Sequence, residues 1–220
     1  MSNLFFYSGC RVLILDFDGV VIESNDIKTE AFRQVFGGFP DHFDEMMAFH
    51  HNNVSLSRFA KFKHLQFLLG ETDNDDFLVE IADEFSSYVL DGMADVPLVP
   101  GAESFLKKAT RKFPLYLASV TPAEELGLIL ERLNLLHIFR DVYGCPPWIK
   151  PDAILDILKK EDIKPEEALL IGDSAGDQRA AQVSGVHFLA RNSGLDFDAP
   201  QPVMFSDMNQ ISNYLQELLS

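Results

Sequence analysis

The chain has 220 residues, 47% hydrophobic and 24% charged, with 34 Asp and Glu against 18 Lys and Arg and a formal net charge of −16. That is ample apolar mass for a core, and nineteen Phe residues argue against disorder. A surface this acidic excludes nucleic acid and anionic membranes as expected partners, and the two cysteines, Cys10 and Cys145, fit neither a metal spacing nor a disulfide framework.

The chain opens on the apolar stretch MSNLFFYSGCRVLIL, but Arg11 interrupts it and no basic segment precedes it as in a secretory leader. No run of about 18 apolar residues occurs. The expectation is a soluble, cytoplasmic protein. A first strand is predicted over RVLILDFD (11–18), which ends in two acids, Asp16 and Asp18, followed by Gly19. Residues 21–94 then read as helices only. Ile27, Ala31, Val35 and Phe36 mark one apolar face, Phe59, Phe62, Leu65 and Leu69 a second, and Leu78, Ile81, Phe85 and Tyr88 a third. ETDNDD (71–76) reads as a solvated loop, and the adjacent His50 and His51 as a loop pair. From residue 95 the pattern alternates. Strands are predicted at PLYLASV (114–120), DVYG (141–144), ALLIGDS (168–174) and HFLARN (187–192). Apolar runs of this length suit strands buried on both faces. Helices are predicted at GAESFLKKATRK, TPAEELGLILERLNL, PDAILDILKKE, DQRAAQVSG and MNQISNYLQELLS. Thr121 is the expected N-cap of the second of these, with Pro122 at its first position and Glu124 closing a capping box.

This alternation predicts an α/β fold, an open Rossmann-like parallel sheet with right-handed crossovers. The core is expected over residues 1–20 and 95–220, with an inserted all-helical domain over 21–94. Ligands of such sheets bind beyond the carboxyl ends of the strands. Asp16, Asp18, Gly19, Ser119, Asp173 and Asp177 are expected there, with Lys150 from WIKPD nearby. Carboxylates converging on one point conflict unless a cation resolves them, and all-oxygen ligation selects Mg²⁺. Each residue also has a plainer reading. The first aspartates could cap a turn, Ser119 could begin one, Lys150 could be solvated, and Asp177 could be a helix-start acid favoured by the dipole.

DFDGV, then Ser119, Lys150 and GDSAGD, in this order on strand ends, resembles the four-motif signature of the haloacid dehalogenase-like hydrolase superfamily. The helical insertion is similar to that family's cap, as in phosphoglycolate phosphatase and β-phosphoglucomutase. The resemblance implies that Asp16 is the nucleophile, forming an aspartyl-phosphate, and that Asp18 is general acid and base. It implies Mg²⁺ held by the Asp16 carboxylate, the Asp18 backbone carbonyl and Asp173, with Asp177 in or near its shell. Ser119 and Lys150 would hold phosphoryl oxygens, and Gly19 would let a backbone N–H approach the phosphate. Two departures stand out: KPDAI lacks the second proline usual at the third motif, and Val120 replaces the Asn that often positions substrate. The implied function is a Mg²⁺-dependent phosphatase of a small phosphorylated metabolite such as a sugar phosphate, as monomer or homodimer. A phosphomutase and a catalytically silent binding module remain alternatives. A dehalogenase is disfavoured, since those relatives lack the second aspartate and need no metal.

One stretch lies outside the signature. Between Met46 and Gly70 there is no Asp or Glu, while Arg58, Lys61, Lys63, His50, His51 and His64 all occur. It reads either as a solvated basic face or as a surface that brings Arg58 to an anionic substrate. The pattern IKTEAF…RFAKF is also similar to hydrolases found beside polysaccharide-biosynthesis enzymes.

Overall fold

The computed structural model describes residues 9–71 and 74–219. The apolar opening up to Ser8, two residues of the acidic stretch at 72–73, and Ser220 lie outside them. The chain divides into two compact units, Met1–Glu23 with Pro97–Ser220, and Ser24–Val96. The sequence expectation puts the junctions two or three residues earlier. Backbone pairing explains the difference. Val99 N–H donates to the Val21 carbonyl at 3.0 Å and Glu23 N–H to the Pro97 carbonyl at 2.9 Å, and Ile22 bridges Leu98. Residues 21–23 therefore stay with the sheet.

The first unit is a six-stranded, all-parallel sheet in the order β3-β2-β1-β4-β5-β6. Its strands are β1 (Val12–Leu15), β2 (Leu115–Ala118), β3 (Asp141–Tyr143), β4 (Ala168–Gly172), β5 (His187–Arg191) and β6 (Met204–Phe205). Every residue of β1, β2 and β4 is buried, as continuous apolar strands covered on both faces require. Val12 and Ile14 share one core cluster with Ile154, Ile157, Ala180 and Ala181. These come from α7 (Lys150–Glu161) and α8 (Ala175–Ser184). Leu13 and Leu15 alternate to the other face and are equally buried. Helices α5 (Ala102–Ala109) and α6 (Ala123–Arg132) flank β2 in sequence. β6 is absent from the expected set, because two half-exposed residues leave no apolar run to detect. The expected closing helix is two pieces, α9 (Met208–Tyr214) and α10 (Gln216–Leu219), broken at Leu215. Strand order reverses between β1 and β4, and that switch point is where open sheets place their ligands.

The second unit holds α1 (Asn25–Gly37), α2 (Phe43–Asn52), α3 (Arg58–Leu68) and α4 (Asp75–Gly92). Among the described residues, no helix of the chain is long and apolar enough to cross a membrane. Several local expectations change. Asp75 and Asp76 form the first turn of α4 behind Asn74, whose side chain accepts the Phe77 N–H at 3.1 Å. Tyr88 is 40% exposed and Val89 takes the core position. His50 and His51 end α2 instead of lying in a loop. The basic stretch is only partly a solvated face: Lys63 and His51 are exposed, but Arg58 is 6% exposed and Lys61 1%. Arg58 donates to Ser86 Oγ at 2.8 Å and stacks 4.4 Å above the Phe85 ring. Lys61 Nζ lies 4.6 Å above the Phe32 ring, and the two rings are 4.4 Å apart. Both cations thus flank one aromatic pair inside the helical unit. Arg58, which one of the two sequence readings brings to an anionic substrate, has its guanidinium on Ser86 and Phe85.

Lys61 Nζ donates to His50 Nδ1 at 3.0 Å and to the Val54 carbonyl at 3.4 Å. His50 Nε2 lies 3.2 Å from Thr29 Oγ1, whose own proton goes to the Asn25 carbonyl at 2.9 Å. His50 is therefore the Nε2–H tautomer, and burial, then Lys61 and His51, lower its pKa to about 3. Burial, then Lys28, lower that of Lys61 from 10.5 to about 7. Between these two values the unfolded chain binds the additional proton. The penalty from Lys61 is complete below about pH 7 and fades as pH rises towards 10.5. Lys61→Met is expected to raise the unfolding midpoint at about pH 6 by several degrees, and this advantage should shrink near about pH 10. Thermal unfolding of both proteins in matched buffers measures it; an offset independent of pH would show that Lys61 does not titrate here.

Candidate active site

β1 delivers its acids to the sheet edge by continuing past Leu15. Asp16 N–H donates to the Ile171 carbonyl at 2.9 Å, which extends the β1–β4 ladder by one residue. Asp16 Oδ1 accepts the Phe17 N–H at 2.7 Å and lies 3.0 Å from Lys150 Nζ. Lys150 also contacts Asp177 Oδ1. Lys150 is the first residue of α7 and Pro151 the next, so the missing second proline does not keep its side chain from the site. Asp16, Asp173 and Asp177 are all buried, and their ligand oxygens lie within 4.8 Å of one another. Burial pushes the Asp16 carboxyl well above its ordinary range, Asp177 adds to this, Lys150 opposes it, and Asp173 and Asp18 raise it further. Burial disfavours the Lys150 charge, but Asp16 and Asp177 outweigh it and hold the ammonium above its usual range. The Lys150 charge is thus stabilised by its neighbours more than by water, whereas that of Asp16 is disfavoured by burial and by the other carboxylates.

Asp177 unites its two sequence readings. It is the third residue of a capping box on α8: Asp177 Oδ2 accepts Ser174 Oγ–H at 2.6 Å and the N–H groups of Ser174 and Asp173 at 3.1 and 3.3 Å. Oδ1 is left for Lys150. This approach demands Gly172, because a Cβ there would sit 2.3 Å from the Asp177 Cβ.

Asp18 has different neighbours. Its Oδ2 accepts from Thr121 Oγ1 at 3.0 Å and lies 3.3 Å from Ser119 Oγ. Ser119 Oγ also accepts the Thr121 N–H at 3.1 Å. The expected N-cap role of Thr121 is therefore wrong. α6 begins at Ala123 behind Pro122, with no side-chain cap, and the Thr121 hydroxyl faces Asp18. Sequence reasoning missed Thr121, although a hydroxyl two residues beyond Ser119 shares its side of an extended chain. Val120 between them is half-buried. Gly19, expected to let a backbone N–H approach the phosphate, does not offer its own. Its N–H donates to the Ile22 carbonyl at 2.8 Å, so it is committed to the turn and not offered to a phosphate. What requires glycine is its φ of +70°.

Gly172→Ala tests the packing that holds Asp177. The clash is backbone-proximal and has no flexible tip to yield, so a loss of about 1–3 kcal/mol is expected. Activity should fall further than stability, since Asp177 and Lys150 move together. Calorimetry and turnover on one preparation measure both; wild-type values in each would show that Asp177 does not need this approach.

The sequence profile of the haloacid dehalogenase-like hydrolases matches residues 13–191. The chain is 26% identical over 219 residues to a phosphoglycolate phosphatase of Cereibacter sphaeroides, covering 94% of this chain and 99% of the relative. It is 24% identical to the phosphorylated carbohydrates phosphatase of Thermotoga maritima, covering 95% and 100%. A β-phosphoglucomutase of Clostridium difficile superposes with a TM-score of 0.76 at 16% identity, covering 96% and 97%; at that identity the likeness is one of fold. The matched span runs from β1 to the end of β5 and so contains all four acids, Ser119 and Lys150, and by it the chain belongs to the haloacid dehalogenase-like hydrolases.

Proposed function

We propose that this phosphoric monoester hydrolase is a Mg²⁺-dependent phosphatase of a small phosphorylated metabolite and works through an aspartyl-phosphate on Asp16. The observation that carries this reading is the buried group Asp16, Asp173 and Asp177 around Lys150. Three carboxylates against one ammonium leave uncompensated negative charge in a water-poor site, and oxygen donors alone fit a hard divalent cation. Asp16, Asp173 and the Asp18 backbone carbonyl would hold it, with Asp177 at the edge of its shell. When bound, Mg²⁺ supplies charge neutralisation to the phosphoryl group.

The protein's own groups do the rest. Asp16 Oδ1 is pinned by Lys150 and the Phe17 N–H, which fixes the plane of the attacking carboxylate. Attack on phosphorus forms the Asp16 O–P bond and breaks the ester P–O bond. Lys150 steadies the transferring oxygens, and Ser119 lies beside them. Asp18 gives its proton to the departing alkoxide, then takes one from the water that cleaves the aspartyl-phosphate. Transfer of this kind needs positioning and charge neutralisation more than covalent assistance. The relatives named for phosphoglycolate and for phosphorylated carbohydrates support a small anionic ester as substrate, met in the cytoplasm. The helical unit is read as the cap that selects it.

A panel of phosphoglycolate and sugar phosphates assayed for phosphate release with Mg²⁺ tests the activity. Isomerised sugar phosphate without release would indicate a mutase, and no turnover of any ester a silent module. Chelation should abolish release and added Mg²⁺ restore it. Asp16→Asn should lower turnover by more than about 10³-fold with the fold intact; a loss under tenfold would remove Asp16 as nucleophile. In kcat/KM, which reports the first transfer, Asp18→Asn should cost about 10²–10⁴-fold on alkyl esters and less on activated aryl esters, while the aspartyl-phosphate common to both accumulates. Equal losses on both ester types would show that Asp18 is not the acid.

A further inference from the structure

We propose that Arg191 is a positioning residue for the turn that carries Asp18, an inference that rests on Asp18 being the acid and base. Arg191 is the last residue of β5 and is buried. Its guanidinium reaches three points of the chain at once. Nη1 donates to the Gly19 carbonyl at 3.2 Å and to Glu23 Oε2 at 3.0 Å. Nη2 donates to Glu23 Oε1, and Nε to the Ser206 carbonyl at 3.2 Å. Only a planar fork of donors spans such a set; an ammonium is a single point.

These bonds fall where the turn would otherwise swing. Gly19 directly follows Asp18 and has the widest backbone freedom of any residue. Its N–H is held by the Ile22 carbonyl. In a trans peptide the carbonyl opposes the N–H, so this bond aims the Asp18 carbonyl away from Ile22. Arg191 fixes the next peptide through the Gly19 oxygen. Gly19 is thereby held on both sides. The bidentate pair with Glu23 ties the far end of the turn to the same guanidinium. β5 is a rigid base for it, since it lies between β4 and β6. Stability alone does not explain the arrangement, because the Glu23 side chain is 34% exposed and ion pairs open to water contribute little. A guanidinium fastened to the carbonyl beside a catalytic acid does explain it, since small displacements of such a group are costly in rate.

The test compares Arg191→Met, Arg191→Lys and Glu23→Gln with wild type by kcat/KM on two esters. One is p-nitrophenyl phosphate, whose leaving group needs no proton. The other is the alkyl phosphate of the metabolite panel that wild type turns over best. Loss of Asp18 alignment should lower the alkyl value about tenfold more than the aryl value in Arg191→Met, with Arg191→Lys recovering part of the difference. Glu23→Gln should show the same selectivity in smaller measure, and it carries the comparison if Arg191→Met does not fold. Equal losses on both esters in the folded variants, or no loss, would overturn the proposal. Asp18→Asn is measured alongside. If it lacks ester selectivity, the assignment of Asp18 falls and this proposal with it. If it has the selectivity and the Arg191 and Glu23 variants do not, only the positioning role falls.

Discussion

The attraction between Lys150 and the buried carboxylates of Asp16 and Asp177 is the constraint around which the sheet unit is organised. Each partner alone would be costly in that position, since an unpaired buried charge is worth several kcal/mol of destabilisation. Together they are tolerated only in a narrow geometry. That geometry is inherited from the β1–β4 pair, where Leu15 lies opposite Ile171 and Asp16 extends the ladder. A slip of one residue would turn Asp16 to the other face and leave Lys150 facing an apolar strand. Continuous burial of both strands therefore secures the register, and the register secures the chemistry. The absence of a side chain at Gly172 belongs to the same requirement, because it lets α8 bring Asp177 in against the strand end.

The helical unit solves a different problem with opposite charges. Its buried cations, Arg58 and Lys61, lie against the paired rings of Phe32 and Phe85. A neutral His50 relays hydrogen bonds from Lys61 to Thr29 and the start of α1. Aromatic faces and neutral acceptors satisfy a cation less completely than a carboxylate does. The depressed pKa of Lys61 follows from that shortfall. Arg58, Lys61 and His50, part of a stretch read as a surface from the sequence, are thus interior groups matched within the helical unit, while Lys63 and His51 stay exposed.

Strands and signature acids were legible because their cause is local. A buried parallel strand is a short continuous apolar run, and a ligand site lies at its carboxyl end whatever the rest of the chain does. Lys150 was legible only through motif order, since nothing in WIKPD says where its ammonium points. Thr121 was misread because a hydroxyl before proline makes a good cap on paper, whereas the structure turns it to Asp18. Gly19 was legible as a glycine of the first motif, but that its N–H serves Ile22 and its φ is positive was not. Arg191 and β6 escaped notice for a shared reason. Their partners, Gly19, Glu23 and Ala190, are brought to them by the fold and not by neighbouring sequence. Arg58 and Lys61 show the same limit, because periodicity marks apolar faces and does not reveal a cation lying among them.

Asp16 and Asp18 are two residues apart and yet have chemically distinct surroundings, and this division suits the two tasks a phosphatase must separate. Asp16 faces an ammonium and a backbone N–H, both donors only. These donors oppose the burial and the neighbouring carboxylates that push the Asp16 carboxyl upward, and so favour the ionised form that the nucleophile proposed here needs. Asp18 faces the hydroxyls of Thr121 and Ser119, which can donate or accept. A hydroxyl can rotate to accept when the acid is protonated and to donate when it is not. In the role proposed here for Asp18, delivering a proton in one step and recovering one in the next, hydroxyl neighbours serve better than a fixed cation would. The order of strands in the sheet, with β2 and β4 on either side of β1, is what gives these two acids, neighbours in sequence, different hydrogen-bonding partners.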